Sequence, residues 1–448
     1  MVQVGIESPP AVRSPRETPR LPTRAADAAA LALLSYLVFR IWFDLGIWFD
    51  LLGAVAGAAG IAAALVARQR IRTFLDGPLI AYAALTLLSV AVTRHRFTAT
   101  GVPGDPLVEW RPAIQTVALT LYFYGATWIL RTERRRGWLV AALVVAVSLV
   151  GARAANDHAY YGFDTRLDSY ITTQPWLGYP DIGLLFAIAL PVPLAVLVTN
   201  RSIGVFMAAA IVAVVLFLDE VWLYSRGGYL SMVAGFAAVA AVGFYASKRW
   251  RLAVAVVPLL VLVLIAAAPS TRLNRVLTDL GDRYVYGSRF AIWQRTVLMI
   301  SDYPLLGVGP GHYYSAMRSG YEWRTWEHAD DTHAHNMLLH IAAETGVPAA
   351  AAFLLVWVRV FQRLWSFLVR RRATSTRAAT LGLFGALVAF FVRGLTDYFF
   401  GGFFISERLA FLMWTLLAAA VAAVQSSGTA GAPAIAPAHR SPKGDGVS

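Results

Sequence analysis

The sequence predicts an all-α polytopic membrane protein of about twelve transmembrane helices, with one long, partly helical extracytoplasmic loop between spans 9 and 10. Three observations carry this prediction. Of 448 residues, 58% are hydrophobic and only 15% charged, where soluble chains carry roughly a quarter. Apolar runs of about 20 residues, the length that crosses a bilayer, recur along almost the whole chain. The basic residues gather in the short segments between alternate runs, as membrane proteins keep Arg and Lys on the cytoplasmic side.

Taken in order, residues 1–24 are polar and rich in Pro and Arg, which reads as a disordered cytoplasmic tail without the short apolar core and cleavage site of a removed signal peptide. Spans 1–9 fall within 25–268, at 25–43, 50–67, 74–92, 112–130, 137–153, 181–199, 203–220, 228–247 and 252–268. Polar pairs crowd the ends of the third and seventh, at Asp76-Gly77 and Asp219-Glu220. Residues 269–335 form the long loop, and spans 10–12 follow within 336–424, at 336–358, 378–398 and 404–424. Residues 425–448 are Ala-, Gly-, Pro- and Ser-rich and read as a second disordered tail.

ARQRIR (67–72), RTERRR (131–136), KRWR (248–251) and RVFQRLWSFLVRRR (359–372) all lie on the N-terminal side of the membrane in this scheme. That asymmetry puts both termini in the cytoplasm and the loop outside, and an odd number of spans would destroy it. The net charge of +13 is therefore a topology signal and not a nucleic-acid surface. The absence of cysteine excludes disulfides and thiolate chemistry.

A loop of this size greatly exceeds the usual connection of about 2–8 residues, and its aromatic content argues against disorder. Within it Phe290, Trp293, Val297 and Ile300 repeat on one helical face, with Arg289, Gln294 and Arg295 off it. Asp302-Tyr303-Pro304 ends that helix, which is suited to lying flat on the bilayer surface. The glycines at 307, 309 and 311 then make a tight turn, which lacks the Gly-Lys-Ser/Thr of a Walker-type phosphate loop. The outside segments 94–111 and 154–179 are also more than turns, and the Tyr- and Trp-rich second one suits either an interfacial belt or sugar stacking.

Ionisable side chains where the loop re-enters the membrane are the first functional candidates: His333 and His335, beside Asn336. His328, Asp330 and Asp331 crowd the same stretch, so a metal reading is open, but no further carboxylate motif completes a recognisable site. A solvated loop edge and a catalytic base are the other readings. Arg226 follows Ser225 and precedes two glycines, which let backbone and guanidinium approach a ligand closely. Arg suits bidentate phosphate recognition, although at this depth it also suits snorkelling to headgroups. Arg393 and Asp397 stand one turn apart near the outer end of the eleventh span, where a mutual ion pair is the plain expectation.

The order SRGG (225–228), SRFAIW (288–293), PLLGVGPG (304–311), HAHN (333–336) and AETG (343–346) resembles the O-antigen ligase and polymerase family. The resemblance implies a GT-C-like fold and transfer of a glycan from an undecaprenyl-diphosphate carrier, outside the cytoplasmic (inner) membrane, by a metal-independent inverting mechanism without a cofactor. It implies that Arg226 and Arg289 bind the donor diphosphate, that His335 is the essential histidine, and that Asp397 is the acidic residue of a late span. Supporting roles are open for His333, Asn336, Arg295 and Arg393. The expected partners are the lipid-linked glycan donor, a lipid A–core or second glycan acceptor, and membrane lipids. Ligation to lipid A–core is the leading expectation, ahead of O-antigen or exopolysaccharide polymerisation and protein O-glycosylation. A transporter or flippase is the reading from another class, and Pro191 and Pro193 within the sixth span are its best support.

Overall fold

The computed structural model describes residues 23–42, 47–66, 71–94, 106–161, 179–200, 202–223, 225–246, 283–321, 333–370, 377–397 and 407–429. Every regular element among them is helical. In chain order they are α1 (Thr23–Trp42), α2 (Ile47–Val66), α3 (Asp76–Thr93), α4 (Pro106–Ile129), α5 (Glu133–Tyr161), α6 (Tyr179–Ala189), α7 (Pro191–Thr199), α8 (Ile203–Trp222), α9 (Arg226–Ala246), α10 (Arg283–Asp302) and α11 (Tyr313–Ala316). A π-helical turn, Met317–Tyr321, precedes α12 (Met337–Thr345), α13 (Val347–Arg370), α14 (Arg377–Gly394) and α15 (Glu407–Thr429).

Among the described residues seven helical stretches are long and apolar enough to cross a membrane: 76–93, 133–157, 182–199, 203–222, 347–370, 377–394 and 409–426. Ala26–Val38, Leu51–Val66 and Gly227–Gly243 are shorter apolar helices. The expected fourth span falls on α4, and the expected ninth, 252–268, lies outside the described residues, as do 1–22 and 430–448 of the tails, the segments 95–105 and 162–178, and His328, Asp330 and Asp331. Residues 425–429, expected to open the disordered second tail, instead continue α15 as helix.

One boundary differs from the sequence reading. Residues 336–358 are not one span: α12 stops at Gly346, whose φ of 89° is open to glycine and strained for other residues, and the apolar helix long enough to cross is α13. Hydropathy misses the break because both sides of it are oily. The sixth span is interrupted only at Leu190, which keeps helical φ and ψ and donates its N–H to Phe186 O at 3.0 Å. Pro191 and Pro193 are buried there, beside the apolar residues Leu190, Val192 and Leu194, so this break exposes no charged midpoint.

Small residues let the helices close on one another. On α2, Gly57 and Gly60 face Gly125 of α4, where an added Cβ on Gly60 would sit 2.8 Å from the Gly125 Cα. Gly235 of α9 meets Gly385 of α14 in the same manner, each added Cβ falling 3.1 Å from the other's carbonyl oxygen. With Gly227 against Arg393 as well, α9 and α14 run antiparallel, and the N-terminus of α9 lies beside the C-terminus of α14. A large apolar core around Tyr122, Trp357, Phe390 and Phe411 fills the bundle. The loop has a separate small core of Met299, Val308, Tyr313, Met317, Ala334 and Ala343.

Helix α10 ends at Asp302 as expected, but its buried face is Ile292, Thr296 and Met299. Of the predicted apolar stripe, Phe290 and Val297 are exposed, while Trp293 and Ile300 are half-buried, Ile300 against the small loop core, so the stripe straddles the edge of the buried face. The glycine turn after it spends its amides on α12. Val308 N donates to Ala343 O at 2.8 Å and Gly309 N to Glu344 O at 2.9 Å, satisfying carbonyls that a helix C-terminus leaves unpaired. Ser89 of α3 adds bonds to Leu306 O at 2.6 Å and Glu344 O at 3.2 Å.

Candidate active site

Asp397 is the hub of the buried polar cluster at this end of the bundle. Its Oδ1 lies 3.1 Å from His333 Nε2 in a hydrogen bond and 3.4 Å from His335 Nδ1, off the line of one. Its Oδ2 pairs with Arg393 Nη2 at 3.1 Å. The expected i, i+4 ion pair therefore forms, and it also gathers both histidines from a segment about 60 residues earlier in the chain. The two imidazole rings lie 3.9 Å apart, centre to centre.

Asn336 has a clear local task. Its Oδ1 accepts from Leu338 N at 3.0 Å and Leu339 N at 3.1 Å, capping α12, while its Nδ2 donates to Leu395 O at 3.1 Å just past α14. One side chain thus ties the histidine segment to the turn that carries Asp397. Between these fixed points His335 takes a φ of 45°, a left-handed conformation that costs a residue with a Cβ about 1–2 kcal/mol. Such strain persists only where the surroundings impose it.

His333 is buried, and desolvation lowers its pKa below the usual 6.5 against the opposing pull of Asp397. At neutral pH it is an uncharged imidazole. His335 is more open, with 16% of its side chain exposed against 9% for His333, which leaves its ring the more accessible of the two.

Arg226 opens α9, and its side chain lies outside the described residues. The two glycines that follow have a plain steric purpose: an added Cβ at Gly227 would collide with Arg393 Nη1, and one at Gly228 with Glu220 Oε1. Arg289 and Arg295 are half-buried on α10. Arg289 stands one turn before Trp293, whose Nε1 donates to Ala334 O at 2.8 Å, so helical spacing puts Arg289 on the flank that meets the histidine segment. Arg295 falls on the other flank of the buried stripe.

Three groups went unassigned in the sequence. His340 and Glu344, spaced i, i+4 on α12, are buried and face each other, Nε2 to Oε1, at 3.3 Å. Glu344 Oε1 also accepts from Gly311 N at 3.0 Å and Tyr313 N at 3.2 Å. Glu220, one of the polar pair at the end of the seventh span, is fully buried near the N-terminus of α9, with both carboxyl oxygens unpaired among the described residues.

His333, His335 and Asp397 present donor atoms within 4.8 Å of one another and could hold a metal by donor type. The Arg393 guanidinium on the same carboxylate already supplies a positive charge, which opposes a cation and favours an anion. The arrangement offers an accessible imidazole held by a carboxylate, a buried guanidinium, and a helix N-terminus of positive polarity.

No curated protein matches the chain. Residues 211–354 match the family model described as O-Antigen ligase. The matched stretch includes Arg226, Arg289, both histidines and the glycine turn, while Asp397 lies beyond it. That segment, in a chain whose described regular elements are all helical and include seven stretches long and apolar enough to cross a membrane, supports the likeness to the O-antigen ligase/polymerase family.

Proposed function

We propose that the protein transfers a glycan from an undecaprenyl-diphosphate carrier to an acceptor hydroxyl at the outer face of the cytoplasmic membrane, with lipid A–core as the acceptor. The observation that carries this reading is the convergence of His333, His335 and Arg393 on Asp397, beside the end of α9 that Arg226 opens. In the proposed step the acceptor oxygen attacks the anomeric carbon from the face opposite the diphosphate. The bond from that carbon to the diphosphate oxygen breaks with its electron pair, and the hydroxyl proton passes to His335 Nε2. Asp397, 3.4 Å from Nδ1, orients the ring and stabilises the imidazolium that forms. The leaving diphosphate is a weak base that needs cations more than a proton, and Arg226 and Arg289 supply them. Both termini are cytoplasmic in this reading, and the donor enters sideways from the bilayer.

The test supplies purified protein with an undecaprenyl-diphosphate-linked glycan, first alone and then with lipid A–core. Product only with lipid A–core supports ligation. A ladder from donor alone makes the protein a polymerase, and product only with a protein acceptor makes it an O-oligosaccharyltransferase. His335→Ala should lose transfer by about 10²–10⁴-fold while still inserting in the membrane; an unchanged rate would remove His335 as the base.

A further inference from the structure

We infer that His340 is a positioning residue, whose Nδ1 holds the backbone between the two histidines, and that Glu344 sets the ring that does so. The inference rests on the reading of His335 as the base. Ala334 is fully buried between His333 and His335, in a segment with no regular structure to satisfy its amide. Side chains do so instead: Ala334 N–H donates to His340 Nδ1 at 3.3 Å, and Ala334 O accepts from Trp293 Nε1 at 2.8 Å. With both polar groups fixed from opposite sides, the next residue is driven to its left-handed φ of 45°.

The bond from Ala334 requires a lone pair on Nδ1, so the ring proton must sit on Nε2. Nε2 faces Glu344 Oε1 at 3.3 Å, where the N–H dipole of the neutral ring meets the carboxylate off the line of a hydrogen bond. That carboxylate is itself held by the amides of Gly311 and Tyr313, and the Tyr313 ring lies 4.6 Å from the imidazole. The glycine turn, Glu344, His340 and Ala334 form one continuous path, so three sequence motifs separated along the chain act on the placement of a single imidazole. A shift of about 1 Å in such a group costs roughly 10²-fold in rate.

Two substitutions separate this role from plain packing. Asn places an acceptor where Nδ1 stands, and Gln places one where Nε2 stands. In the transfer assay His340→Gln should lower kcat about 10²-fold with the donor KM unchanged, and His340→Asn should recover most of that loss. Because His340 acts through His335, adding His340→Gln to His335→Ala should slow transfer no further. Equal losses in both His340 variants, or a full additional loss on top of His335→Ala, would overturn the inference. A wild-type rate for His335→Ala would instead sink the base assignment on which it stands. A histidine-selective nitrogen NMR spectrum of the wild-type protein tests the latch without activity or variants: His340 should carry its proton on Nε2, and a proton on Nδ1 refutes the proposal.

Discussion

Replacing Asp397 by Asn preserves the shape of the hub and removes its charge, which makes it the sharpest test of the site. In the native protein the carboxylate meets Arg393 at 3.1 Å, His333 at 3.1 Å and His335 at 3.4 Å, and Arg393 is 3% exposed. The amide cannot balance that guanidinium, and removing one partner of a buried pair typically costs about 3–5 kcal/mol. The amide can also present its NH₂ to a histidine nitrogen, favouring the wrong tautomer, a change that has cost about 10⁴-fold where a carboxylate orients a catalytic imidazole. Two measurements read these effects apart: melting of the detergent-purified protein, and the transfer rate well below the melting temperature. Adding Arg393→Met to Asp397→Asn takes away the stranded charge and should return much of the lost stability while transfer stays low. Wild-type transfer in Asp397→Asn, or recovery of transfer along with stability in the double variant, would mean that Asp397 only packs Arg393.

Acid should loosen the site through His333. Its folded pKa lies below the ordinary 6.5 because of burial, so on acidification the unfolded chain takes up the proton first. Its contribution to stability is therefore complete above about pH 6.5 and lost as the pH falls through the lower folded value. Melting curves between about pH 5 and pH 7.5 should slope less steeply in His333→Gln, and parallel curves would contradict this. Treatment with EDTA should leave transfer unchanged, since Arg393 already supplies the positive charge at Asp397; loss of activity restored by Zn²⁺ would show that His333, His335 and Asp397 hold a metal. Arg226→Lys should reduce transfer at saturating acceptor because an ammonium lacks the bidentate fork, and full activity would make Arg226 a headgroup contact. Gly227→Ala should fold poorly or displace the Arg393 guanidinium, which proteolysis of isolated membranes would detect as reduced resistance.

What the sequence discloses here follows the range of the interactions. The helical class and most of the apolar spans are local properties and were legible. So was the Arg393–Asp397 pair, because i, i+4 spacing at a helix end keeps the two side chains near each other, although Asp397 itself stands in the turn just past α14. The place of His333 was not, since its partner lies 64 residues away and only packing of the histidine segment on α14 brings them together. The same distinction explains α12. His340 and Glu344 stand one turn apart, yet the object they hold is the amide of Ala334, which no side-chain pattern reports. The break at Gly346 did have a local signal in the sequence Gly-Val-Pro, where a helix stop is followed at once by a start. Hydropathy averaged over a span-length window erased it.

The glycines settle why so many charged groups are tolerated at this end of an oily bundle. A buried guanidinium or carboxyl needs its partner near and its surroundings shaped around it. Gly227 gives Arg393 room and Gly228 gives room to Glu220, while Gly235 and Gly385 bring their two helices close enough for both fits to occur. The Ser-Arg-Gly-Gly motif is therefore more than a frame for Arg226. Its first glycine shapes the pocket in which Arg393 holds Asp397, and Asp397 in turn gathers the histidines. A substitution at Gly227 reaches the proposed base through that chain of contacts, with no contact of its own to a substrate.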